Sequence, residues 1–261
     1  MVLFLETLEA YDRKIKGIQW ETLKKTLATQ FLLPKARKWF KSLFWVKRNF
    51  AARVFSLAPQ NEDETYILAL IDDPSFLVRC FAATAAIKIE SQKGVLKILE
   101  KMQQEPGYEN YYYSDMFSQG SQQIFQWIIE FANTYPKLRL QCLSVLKLKT
   151  SSIPPSFLNP DLNASDLKTK IAALEILVRN PSLGSVKIFA SCFKDLNERI
   201  RVLGACGLGN FSTQESLSLL KNGYLDPSPL VRLECARSLK KLGKTNLLCD
   251  EELIEYIKEF G

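Results

Sequence analysis

The chain has 261 residues, 47% of them hydrophobic, a net charge of +7 and no histidine. Such apolar content excludes a disordered chain, and the length is large for one compact core. The lack of histidine removes the commonest general base and every histidine-bearing metal site, so no catalytic, cofactor or metal residues are expected.

Residues 1–58 read as a basic, aromatic N-terminal helical element. Residues 1–53 hold 12 Lys or Arg against 4 Asp or Glu, a balance of +8, while the other 208 residues balance at −1; Trp20, Trp39 and Trp45 lie here too. The segment 34–58 is predicted as one helix opening at Pro34. Trp39, Leu43, Val46, Phe50, Val54 and Leu57 would then share the core-facing stripe, with Lys41, Trp45 and Ala52 opposite. An exposed tryptophan among lysines invites an anionic surface, with Lys35, Arg37, Lys38, Lys41, Trp45, Lys47 and Arg48 as candidate contacts. Anionic lipid and nucleic acid both fit this composition, as does a first helix with solvated lysines.

From residue 59 to 243 the chain repeats itself. "DPSFLVRCFAATAAIKI" at 73–89 returns as "DPSPLVRLECARSLKKL" at 226–242. A basic residue with small or apolar residues at +4 and +7 occurs at Arg48, Arg79, Arg139, Lys170, Arg201 and Arg232, at intervals of 31, 60, 31, 31 and 31 residues. One beat is missing near residue 110. Six residues before the mark stand Asp73, Asn133, Asp195 and Asp226, short polar side chains suited to helix N-caps. Apolar periodic runs such as "DETYILALI" and "ESLSLLKNGYL" precede the turns. Each repeat therefore reads as two helices joined by a tight turn, neither able to bury its apolar stripe alone, so the pairs must stack.

Two stretches break the period. Residues 105–121, "EPGYENYYYSDMFSQGS", read as a long loop or distorted helix in place of the missing second helix. Tyr108, Tyr111, Tyr112 and Tyr113 are either packing across a gap or contact residues of a partner-binding loop. Residues 150–166 carry paired prolines that make a first helix short or absent. Further on, "LGACGLGNF" at 203–211 has three glycines but no preceding strand and no following Lys-Ser or Lys-Thr, and reads as a closely packed helix. Cysteines at 80, 142, 192, 206, 235 and 249 form no Cys-x-x-Cys pair and read as reduced thiols of a cytoplasmic protein. Residues 244–261 would close the array with a capping helix. No secretory leader is visible, and no run approaches the roughly 18–20 apolar residues of a membrane span.

With the Asp, the Val-Arg or Ile-Arg pair, the small residues and the late leucine in register, "DPSFLVRCFAATAAIKI", "DLNERIRVLGACGLGNF" and "DPSPLVRLECARSLKKLG" resemble the second helix of HEAT and HEAT-like repeats. The resemblance spans roughly residues 35–243. It implies an all-α fold, an α-α superhelix of about six or seven helical pairs with a period of about 31 residues. It also implies an internal ladder in which Arg79, Arg139, Lys170, Arg201 and Arg232 pair with Asp73, Asp195 and Asp226 of neighbouring repeats; the alternative is a basic stripe for phosphates. HEAT arrays mostly bind rather than catalyse, so the expected function is a non-catalytic scaffold for a protein partner. The aromatic, basic segment leading into the array is similar to bacterial HEAT-repeat proteins that follow a membrane anchor, which implies a place at the cytoplasmic face of a membrane. Alternatives are nucleic-acid binding, including the HEAT-like alkylpurine DNA glycosylases, for which Trp127 and Glu130 lack a matching motif, and the HEAT-like phycobilin lyases, for which no chromophore site is marked.

Overall fold

The computed structural model describes residues 1–105, 107–149 and 153–244; the expected closing helix beyond Lys244 lies outside them. The described residues contain sixteen α-helices and no strand. They fall into two compact units that divide between Leu148 and Lys149, just before the second irregular stretch.

In the first unit, α1 (Val2–Lys14) is followed by α2 (Ile18–Leu27), which passes through a π-helical stretch, Ala28–Leu32, into α3 (Leu33–Trp39). Four helical pairs then form: α3 with α4 (Trp45–Leu57), α5 (Glu64–Leu70) with α6 (Phe76–Lys88), α7 (Gln92–Gln104) with α8 (Tyr108–Phe117), and α9 (Gln122–Thr134) with α10 (Arg139–Leu146). The second unit holds three: α11 (Pro155–Leu162) with α12 (Leu167–Arg179), α13 (Ser185–Cys192) with α14 (Glu198–Leu208), and α15 (Gln214–Gly223) with α16 (Pro229–Lys241). Each second helix packs on its own first helix and on the next second helix: α4 on α6, α6 on α8 and α8 on α10, then α12 on α14 and α14 on α16. Within each unit the pairs stack as in the expected α-α solenoid, four pairs in the first and three among the described residues of the second.

Small residues on the second helices make that stacking possible. Ala51 and Ala52 on α4, Ala82, Ala83, Ala85 and Ala86 on α6, and Ala172 and Ala173 on α12 are all buried. On α14 the requirement is stricter. A Cβ on Gly204 would stand 2.7 Å from that of Cys192, and one on Gly207 would lie 2.4 Å from the Phe189 ring. The glycine-rich segment is thus inside a helix, where the first helix of the pair presses against its backbone.

Three sequence expectations need correction, and one reading left open is decided. The helix predicted over 34–58 breaks at residues 40–44, because the turn between the two helices of a pair lies there: the carbonyls of Ser42 and Leu43 accept from the Arg48 guanidinium at 2.8 and 3.1 Å. Trp39 and Phe50 meet edge to face across the break, 5.2 Å between centroids. Consequently Leu43 and Val46 leave the expected stripe and are 96% and 55% exposed, whereas Ala52, expected opposite, is fully buried. Of the two readings left open for residues 105–121, a long loop or a distorted helix, residues 108–117 are a helix. Asn110 stands 31 residues after Arg79, with Ser114 at +4 and the fully buried Phe117 at +7, so the beat is kept without its arginine.

The aspartates, finally, are not N-caps. Asp73, Asp195 and Asp226 sit two residues earlier and accept the backbone N–H of Ser75, Asn197 and Ser228 at 2.9, 2.9 and 2.8 Å. Those residues are the caps, Asn197 and Ser228 through their own side chains. The first helix in the proline-rich join is short, as expected: α11 has eight residues.

Candidate functional site

The arginine marks face inward, onto turns. Arg48 donates to Asp73 of the next repeat through Nε (2.5 Å) and Nη2 (3.2 Å), and Arg201 to Asp226 through Nε (2.8 Å) and Nη2 (3.0 Å). Lys170 reaches Asp195 at 2.6 Å. In each case the partner is 25 residues further on. The same arginines hold their own turns: Arg79, Arg201 and Arg232 each donate Nη1 to the carbonyls six and five residues back, at 2.8–3.1 Å. Arg139 bonds the Ala132 carbonyl and the Asn133 side chain. One guanidinium thus closes its own turn and clamps the next repeat, and bidentate geometry makes arginine the suitable residue.

Arg79 uses a substitute, since no aspartate stands 25 residues on. It pairs with Glu105 at 3.0 Å and donates to the Tyr113 hydroxyl at 3.1 Å, while that hydroxyl donates to Glu105. Tyr113 is fully buried. Of the tyrosines expected at a partner surface, it is therefore structural, whereas Tyr111 and Tyr112 are 73% and 52% exposed. Tyr108 lies at the start of α8.

The anionic-surface candidates divide in the same way. Arg37 is held by the buried Asp63 at 2.6 Å, and Arg48 belongs to the ladder. Lys35, Lys38 and Lys41 are exposed and Lys47 is half-buried. Lys35 and Lys38 lie on α3, Lys41 in the α3–α4 turn and Lys47 on α4; the end of that turn and the start of α4 carry Leu43, Phe44, Trp45 and Val46, at 96%, 69%, 52% and 55% exposure. Lys47 Nζ lies 5.6 Å from the Trp39 ring and 5.2 Å from the Phe44 ring, Lys35 Nζ 5.5 Å from Trp39, and Lys41 Nζ 5.2 Å from Phe40. Lys35, Lys41 and Lys47 therefore lean on aromatic faces, Lys47 beside Phe44 of the exposed stretch. Four consecutive large apolar residues exposed to water form a patch of the kind that marks a contact surface.

Sequence reasoning found Trp45 and the lysines but assigned Leu43 and Val46, with Phe44 beside them, to the core-facing side of the predicted helix. The signal that could have found them was Ser42, which occupies the register of Asp73 and Asp226 and marks a turn. The two residues weighed for a glycosylase are apart from this turn: Trp127 is half-buried on α9 and Glu130 is exposed.

No protein-family model matches the chain, and no curated protein does. Among solved structures, the chain is similar to YibA of Escherichia coli, with 12% identity, 89% of this chain and 78% of that one covered, and a TM-score of 0.41. A crystal structure described as an engineered protein also aligns, at 12% identity over 82% of this chain and 97% of that one, with a TM-score of 0.40.

Proposed function

We propose that this is a non-catalytic HEAT-like scaffold that docks on an anionic lipid surface through the α3–α4 turn and presents the rest of its array to a protein partner. The observation that carries the proposal is the exposed stretch Leu43-Phe44-Trp45-Val46, with Lys41 and Lys47 close to it in sequence and Lys35 and Lys38 on the preceding helix. Leucine, phenylalanine and tryptophan in that order of exposure suit shallow insertion at the level of the headgroups, where indole is favoured. Each lysine near the surface adds about 1 kcal/mol of attraction to anionic lipid, so the four together contribute about 4 kcal/mol before screening. None of the four is an ion-pair partner in the ladder, which leaves their charge available. No described helix is long and apolar enough to cross a membrane, so the contact is peripheral. The place at the cytoplasmic face implied by the resemblance to membrane-associated HEAT proteins is part of the proposal.

The experiment is co-flotation with vesicles of phosphatidylcholine alone and of phosphatidylcholine with phosphatidylserine. The wild type should float with the anionic vesicles only, and should be lost from them both on replacing Lys35, Lys38, Lys41 and Lys47 by Glu and on replacing Leu43, Phe44 and Trp45 by Ser. Duplex and single-stranded DNA serve as competitors. Salt-steep DNA binding that survives the serine variant would favour a nucleic-acid surface and overturn the lipid assignment.

A further inference from the structure

The arginine ladder of the second unit ends on an open rung. Arg48 and Arg201 use Nη1 to hold their own turns and give Nε and Nη2 to the aspartate 25 residues further on. Arg232, on the last described second helix, closes its turn in the same way, with Nη1 at 2.8 Å from the Asp226 carbonyl and 3.1 Å from that of Pro227. The residue 25 positions on is Ile257, which has no carboxylate and lies outside the described residues. Among the described residues, Nε and Nη2 of Arg232 have no acceptor. Yet the two carbonyls pin this guanidinium as they pin that of Arg201, and the side chain is half-buried. A bidentate pair made there loses little side-chain freedom. Leu225, before the aspartate of the same turn, and Leu230, at the start of α16, are 83% and 56% exposed.

We propose that the Arg232 fork receives an acidic side chain of a protein partner, held in a turn with apolar neighbours, in the way that Arg201 receives Asp226. The carboxylate accepts from Nε and Nη2, and its apolar neighbours cover Leu225 and Leu230. A second copy of this chain has no matching ladder aspartate to offer, because Asp73, Asp195 and Asp226 are each gripped within their own array. An inorganic anion would match the charge but leave the leucines in water. The inference rests on the scaffold reading, whose partner it anchors, and does not depend on lipid docking at the α3–α4 turn, which belongs to the other unit.

The probe is the end-blocked peptide Gly-Tyr-Leu-Asp-Pro-Ser-Pro-Leu, the sequence of residues 223–230, which carries the turn that fills the Arg201 rung. It is titrated into the isotopically labelled full-length chain while the arginine Nε–H resonances are followed by nuclear magnetic resonance. In the free chain the Arg232 Nε–H should exchange with water faster than that of Arg201; saturating peptide should shift its resonance and slow the exchange, leaving Arg201 unchanged. The peptide with Asn in place of Asp should bind at least about tenfold more weakly, the loss expected from one charge-assisted hydrogen bond, and Arg232→Gln should abolish saturable binding. Comparing the two peptides on the wild type keeps the test valid if Arg232→Gln loosens the turn. Equal affinity for the two peptides, or no response at Arg232, would overturn the inference and leave the vesicle result, which tests the lipid contact, untouched. An Arg232 Nε–H as protected in the free chain as that of Arg201 would overturn it too, since the chain would then fill its own rung.

Discussion

Asp226→Ala tests the ladder at its best-defined rung. The carboxylate accepts two hydrogen bonds from Arg201 at 2.8 and 3.0 Å and one from the Ser228 N–H at 2.8 Å. The side chains of Arg201 and Asp226 are only 14% and 9% exposed, so solvent screens the pair little. A hydrogen bond to a charged group contributes about 1.5–3 kcal/mol and an ordinary one about 1 kcal/mol. Truncation should therefore cost about 3 kcal/mol, more than the roughly 0.5–2 kcal/mol of a simple N-cap. Asp226→Asn retains an acceptor for Ser228 and should cost about half as much. Urea unfolding followed by far-ultraviolet circular dichroism measures both, and a double-mutant cycle with Arg201→Ala isolates the pair. The cycle should give a coupling of at least about 1 kcal/mol. A loss below about 0.5 kcal/mol, the level of an ordinary surface change, or a coupling near zero, would refute the clamp.

Acid should loosen the same rungs. Burial opposes ionisation of Asp195 and Asp226, yet Lys170 and the Asn197 N–H in one case, and Arg201 and the Ser228 N–H in the other, outweigh it and hold both carboxyls below the ordinary aspartate range. A depressed folded pKa means stability that is complete above the unfolded value, about 3.9, and lost as pH falls through the folded value. Thermal midpoints should hold down to about pH 4 and drop below it, with a shallower drop in Asp226→Ala; an identical profile in the variant would count against the assignment. Tyr113→Phe removes the hydroxyl that joins Arg79 to Glu105 and should cost about 1–2 kcal/mol in urea unfolding; an unchanged midpoint would mean that the salt bridge alone supports α8. Gly207→Ala drives a methyl into the Phe189 ring and should destabilise by about 1–3 kcal/mol, with a neutral result showing that α13 and α14 can separate freely.

The ladder was legible because its chemistry is periodic. Arginine at 48, 79, 201 and 232 must sit at one phase to reach its own turn, and that constraint survives where the surrounding residues drift. The cap register was misread for a related reason: Asp226 lies beside a proline at the turn, as an N-cap often does, but its carboxylate serves Arg201 and the Ser228 N–H while Ser228 caps. At residues 40–44 the reading failed because no Gly or Pro interrupts an apolar run, and Leu43 and Val46 fit a helical stripe as well as a turn. Packing of Trp39 on Phe50 across the break decides the matter, and that contact is tertiary. The Tyr-rich stretch stayed undecided in the sequence, since Pro106 and Gly107 suggest a loop while Asn110, Ser114 and Phe117 keep the helical spacing.

Insertion of the α3–α4 turn is most directly tested by the fluorescence of Trp45 alone, with Trp20, Trp39 and Trp127 replaced by Phe. Because Trp45 is 52% exposed, its emission in buffer should be that of a hydrated indole. On addition of phosphatidylserine-containing vesicles it should shift to the blue and be quenched by lipids brominated near the headgroup end of their chains. Vesicle association with an unshifted, unquenched Trp45 would contradict docking through this turn.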